Sequence, residues 1–103
     1  MDSDKVLSIF KEITRIPRES GHEEKIVEYL VYFAKQHGLE YKTDDARNVV
    51  ITRPASLGFE NHPTIVLQGH TDMVCEKNAG VNHDFAKDPI NYVIEDGWMI
   101  AKD

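Results

Sequence analysis

The side chains best suited to chemistry are His70 and Asp72, in the run Leu67-Gln68-Gly69-His70-Thr71-Asp72-Met73-Val74. Residues two apart in extended backbone project to the same side, so the imidazole and the carboxylate share a face. Gly69, directly before the histidine, carries no side chain and lets another group approach the backbone closely. A neutral imidazole is a good zinc ligand, and a neighbouring carboxylate can fix its tautomer or ligate in turn. The competing reading is a plain turn in which Asp72 accepts backbone N–H groups, and spacing alone favours that turn. A zinc site also takes three or four protein ligands, and spacing supplies only His70 and Asp72. His83 and Asp84 lie in a long loop at a distance the sequence does not define.

His22-Glu23-Glu24 repeats the His-x-acid spacing and serves as an internal control. It falls at a helix start, where residues i and i+2 do not face each other, so no metal role is expected there. Cys75 has no base placed beside it and reads as a small buried hydrophobe rather than a nucleophile. His37 falls in the last turn of a helix and His62, beside Pro63, in a loop. No Gly-x-Ser-x-Gly elbow, phosphate loop or dinucleotide fingerprint occurs.

The elements that must position this pair follow from periodicity. Val6, Ile9, Phe10, Ile13 and Ile16 recur at helical spacing, with Ser3 as the expected N-cap and Pro17 as the stop. Ser20-Gly21-His22-Glu23 fits a capping box. Ile26, Val27, Leu30, Phe33, Ala34 and His37 then mark one face of a second helix, which Gly38 ends. After Gly38 the period shortens. Leu39–Lys42 and Asn48–Arg53 read as strands around a turn-rich break. Thr64-Ile65-Val66-Leu67-Gln68, apolar on both faces, reads as a central strand covered on both sides. Cys75 to Ile90 is a long polar connection. Tyr92-Val93-Ile94 and Trp98-Met99-Ile100 form a hairpin around Asp96-Gly97. The expected fold class is α/β, with two N-terminal helices followed by a mixed sheet ending in a hairpin.

Composition narrows the function classes. The chain has 103 residues, a natural size for one domain, with 41% hydrophobic and 29% charged residues. Runs such as Ile65-Val66-Leu67 are far below the roughly 20 apolar residues a membrane span needs. The acidic opening Met1-Asp2-Ser3-Asp4-Lys5 is not a secretory leader. A net charge of −6, with neither half basic, argues against nucleic acid. The single cysteine suits a reducing, cytoplasmic compartment. The chain stops at Ala101-Lys102-Asp103, directly after an apolar run, and is expected to be incomplete.

Across nearly its whole length the sequence resembles the dipeptidase branch of the co-catalytic zinc metallopeptidases, the family that includes aminoacylases and glutamate carboxypeptidases. The resemblance is carried by Ile16-Pro17, Gly21-His22-Glu23-Glu24, Asp45-Ala46-Arg47-Asn48-Val49, Arg53-Pro54-Ala55 and Val66 to Val74. Glu76-Lys77-Asn78, His83-Asp84-Phe85 and Lys87-Asp88-Pro89-Ile90 complete it. The His-x-Asp-x-Val core is shared by the superfamily, and the later stretches look particular to dipeptidases.

The resemblance implies that residues 1–103 are the N-terminal portion of a catalytic domain acting on dipeptides, of Xaa-His type or broadly. It implies that His70 is a zinc ligand and that Asp72 is the catalytic carboxylate that orients it. In such enzymes two zinc ions, replaceable by cobalt or manganese, share a bridging aspartate, and a glutamate acts as general base. Those residues follow position 103 in the family, and Asp103 is not the bridging aspartate because no Gly-rich stretch precedes it. A fragment holding one ligand is expected to be inactive and to self-associate through uncovered sheet edges, while the whole protein is expected to be a homodimer. The alternatives are a tripeptidase or amino-acid deacylase of the same family, and a metal-free α/β interaction module.

Overall fold

The computed structural model describes residues 2–102; Met1 and Asp103 lie outside them. Two helices come first, α1 (Ser3–Ile13) and α2 (Glu24–Gln36). Four short strands follow: β1 (Glu40–Thr43), β2 (Val49–Thr52), β3 (Tyr92–Glu95) and β4 (Trp98–Ala101). They form two separate antiparallel ladders, β1–β2 and β3–β4. The α/β class, the leading helices and the final hairpin agree with the sequence, while the expected mixed sheet is instead two small antiparallel ones.

The cap of α1 is Asp2 and not Ser3: the Asp2 carboxylate accepts the Asp4 N–H at 3.0 Å, where a serine one residue later would already be helical. Thr14 ends the helix, and the Ile16 expected on its apolar face lies beyond it. Val6 and Phe10 stay about half exposed, so α1 shows its apolar stripe without covering it. The second helix realises its stripe. Ile26 and Ala34 are buried where α2 packs on β1 and β2. Gly38, at φ +62°, takes the left-handed conformation expected of a residue just past a helix end.

The expected capping box does not form. Gly21, at φ +86°, turns the chain, and the helix begins only at Glu24. Glu23 reaches back to the Gly21 N–H, and the Ser20 hydroxyl is directed elsewhere.

The β1–β2 turn is built by Asp44. Its two carboxylate oxygens accept the Asn48 backbone N–H and side-chain amide, both at 2.9 Å. Arg47 sits in the left-handed region at φ 66° within that turn. In the β3–β4 hairpin, Asp96 and Gly97 both have positive φ, the signature of the two-residue turn whose twist matches its strands.

The sequence reading fails at Thr64–Gln68. This segment has no ladder partner among the described residues, and Ile65, Val66 and Leu67 are 84, 80 and 93% exposed. A cavity of about 350 Å³ separates residues 64–69 from Val49–Arg53. A two-sided apolar pattern specifies burial only if a strand stands about 4.8 Å away and other layers cover the faces. Residues 2–102 supply neither to this segment. What holds its downstream end is a parallel bridge between Glu19 and Met73, with the Met73 N–H donating to Arg18 O at 2.9 Å and the Ser20 N–H to Met73 O at 3.2 Å.

Candidate metal-binding site

The bridge at Glu19–Met73 draws the turn before α2 against the segment that carries the His-x-Asp pair. Asp72 lies one residue before Met73 and Ser20 one residue after Glu19, and their side chains meet. The Ser20 hydroxyl donates to Asp72 Oδ2. The other carboxylate oxygen, Asp72 Oδ1, lies 2.9 Å from His70 Nδ1, which is also 2.9 Å from the Asp72 carbonyl oxygen.

Both partners of Nδ1 are acceptors, so Nδ1 carries the proton. That assignment leaves the Nε2 lone pair as the free coordinating atom of an 83% exposed side chain. The Ser20 hydroxyl first, and the His70 ring second, hold the Asp72 carboxyl below the ordinary carboxylate range. The carboxylate is therefore kept charged by the two groups it orients.

The pair borders a cavity of about 400 Å³ lined by apolar side chains, among them Phe10, Met73, Ile90, Tyr92 and Met99. Arg18 is the cationic wall of this cavity. Its guanidinium donates to Ile13 O at 2.6 Å and to Ile16 O at 3.4 Å, tying down the end of α1. Partial burial lowers its pKa, as expected of a cation withdrawn from water.

The other sequence candidates stay apart from this pair. His83 and Cys75 line a different cavity of about 180 Å³, and the His83 ring lies 4.9 Å from that of Phe85. Asp84 serves its own loop: one carboxylate oxygen accepts the Ala86 N–H at 3.0 Å. Burial, then the charge of Glu19, pushes the Cys75 thiol up, which disfavours the thiolate a nucleophile needs. His37 stacks on Phe33 at 4.1 Å, and His62 lies 5.0 Å from Phe59.

At the control site, Glu23 and Glu24 are taken by Arg47 at 3.0 and 2.5 Å. Ser20 is the residue that sequence reasoning missed. Its partner is 52 positions away, so no local pattern announces it.

The chemistry of the donor set fits one nitrogen's share of a zinc site: an exposed Nε2 with its tautomer fixed by a carboxylate. Among the described residues no group of three or more His, Cys, Asp or Glu converges, so a zinc site built on His70 would need ligands beyond them. No helix among the described residues is long and apolar enough to cross a membrane.

No family model matches the chain. Over 94 residues, 91% of its length, it is 45% identical to the cytosol non-specific dipeptidase of Escherichia coli strain K12. In three dimensions it resembles the aminoacylhistidine dipeptidase of Vibrio alginolyticus, with a TM-score of 0.87 and 42% identity over 92% of the chain. The chain spans only 19% of the length of each relative. In sequence and in fold, it is similar to about a fifth of a dipeptidase.

Proposed function

We propose that residues 1–103 are the N-terminal portion of a metallopeptidase catalytic domain whose whole protein hydrolyses dipeptides. The observation that carries this is the 45% identity over 94 residues, 91% of the chain. The site geometry supports it: His70 offers Nε2, and Asp72 holds the ring in the tautomer that makes the offer.

In this reading His70 is a metal ligand and Asp72 its orienting carboxylate. Zinc is the proposed metal, with cobalt or manganese as substitutes, and when bound it acidifies water and polarises the scissile carbonyl. Asp72 keeps Nδ1–H engaged, so that in the neutral ring the lone pair lies on Nε2. The whole protein is proposed to be cytoplasmic and homodimeric, and the exposed Ile65–Leu67 edge favours self-association of the shorter chain.

With one placed ligand, the chain alone is proposed to lack peptidase activity and to bind zinc weakly. Calorimetric titration with zinc, on this chain and on His70→Ala, tests that. Weak binding abolished by the substitution is expected; sub-micromolar binding lost on substitution would show the site to be complete. For the whole protein, faster turnover of N-acyl amino acids than of dipeptides would assign it to the deacylases instead.

A further inference from the structure

We propose that Ser20 is a positioning residue for His70, acting through the Asp72 carboxylate. A carboxylate held at one oxygen can swing about its Cβ–Cγ bond, and Asp72 is open enough for water to compete for it. The Ser20 hydroxyl occupies Oδ2 while His70 Nδ1–H occupies Oδ1, so both oxygens are pinned and the carboxylate plane is defined. The hydroxyl has one hydrogen to give. Its other neighbour, Met73 O, lies at 3.4 Å, so Asp72 is the acceptor it serves.

Ser20 is itself fixed by backbone. Its N–H donates to Met73 O at 3.2 Å beside the Glu19–Met73 bridge, and the next residue is clamped from the far side. Arg47 donates to Gly21 O at 2.8 Å and to Glu23 and Glu24, while Glu23 accepts the Gly21 N–H at 2.5 Å. The turn before α2 thus directs one hydroxyl at the carboxylate behind the histidine proposed to face the metal. Its contribution is geometric: it holds in place the carboxylate that, with the Asp72 carbonyl, accepts the Nδ1 proton.

The proposal rests on His70 being a metal ligand, and its test separates the two claims. The protein labelled with ¹⁵N-histidine is observed at a pH where the rings are neutral, without metal, as wild type, Ser20→Ala and Ser20→Thr. Wild type and Ser20→Thr are expected to show His70 mainly as the Nδ1–H tautomer. Ser20→Ala is expected to shift His70 toward Nε2–H, the form free imidazole side chains prefer, with the other four rings unchanged. Adding zinc should then show affinity reduced about tenfold in Ser20→Ala, within the range for partners behind a metal ligand.

An unchanged His70 tautomer in Ser20→Ala overturns the proposal, whether or not zinc binds. A shifted tautomer with zinc failing to reach His70 in any variant upholds the positioning role and overturns the metal reading. Should Ser20→Ala disturb the other rings, Ser20→Cys, close in size but a weak donor, replaces it: a wild-type His70 tautomer there overturns the proposal, and a shifted one upholds it.

Discussion

The molecule contains the same three-residue pattern twice, a histidine followed two positions later by an acid, and the two copies do different things. At His70-Thr71-Asp72 the backbone folds the carboxylate onto the ring, with Nδ1 and Oδ1 2.9 Å apart. At His22-Glu23-Glu24 the backbone is entering α2, and both acids turn away to Arg47. The difference teaches that spacing becomes chemistry only through backbone conformation and through what competes for the carboxylate. In the first copy Ser20 reinforces the histidine's partner. In the second an arginine 23 and 24 positions along the chain removes the partners altogether. The copies are also connected, because the Arg47 clamp steadies Gly21 and hence Ser20 next to it.

The largest effect should come from breaking the His70–Asp72 copy. Asp72→Ala is expected to weaken zinc binding at His70 by about 10- to 100-fold, the usual loss when a carboxylate behind a ligating histidine is removed. Titration calorimetry checks this, and Glu24→Ala, the matching change in the other copy, is expected to change zinc affinity far less.

A smaller effect is expected from Arg47→Ala. It releases two carboxylates and the Gly21 carbonyl at once, so the melting temperature should fall by a few degrees. The loss is limited because the arginine is 38% exposed and its ion pairs are screened by water. Arg47→Lys should recover only part of it, since an ammonium cannot fork across Glu23 and Glu24.

The same clamp has a pH signature. The Gly21 N–H first, and then the Arg47 guanidinium, hold the Glu23 carboxyl below the ordinary range. Such a group stabilises the fold above its unfolded pKa and loses that contribution as pH falls through its lowered folded pKa. A carboxyl titration followed by NMR should show the Glu23 midpoint rising in Arg47→Ala. The smallest effect is predicted for His22→Ala, which should alter neither melting temperature nor zinc affinity.

Much of the architecture is legible because it is local. The Asp-Gly turn, the Gly38 helix end, the β1–β2 break and the α2 stripe are each written within a few residues, and each appears where the pattern puts it. The pair His70–Asp72 is legible for the same reason, being two residues apart. What the sequence does not show depends on distant partners. Ser20 reads as a helix cap because the motif Ser-x-x-Glu is present, yet its hydroxyl goes to a carboxylate 52 residues away. Thr64–Gln68 has a buried strand's composition, but residues 2–102 bring no strand or helix to cover it, and its side chains face solvent. The metal role proposed for His70 rests on resemblance to dipeptidases and not on spacing, since the described residues place no third ligand beside the pair.

The central claim is that His70, oriented by Asp72, is the metal-facing histidine of the five in this chain. Titrating zinc into the protein labelled with ¹⁵N-histidine, and following all five ring signals, tests it most directly. The account predicts that the Nε2 signal of His70 moves first and that the His22 ring stays unmoved at the same zinc concentrations. A His70 signal that does not respond, or a His22 signal that responds at equal or lower zinc, would contradict it.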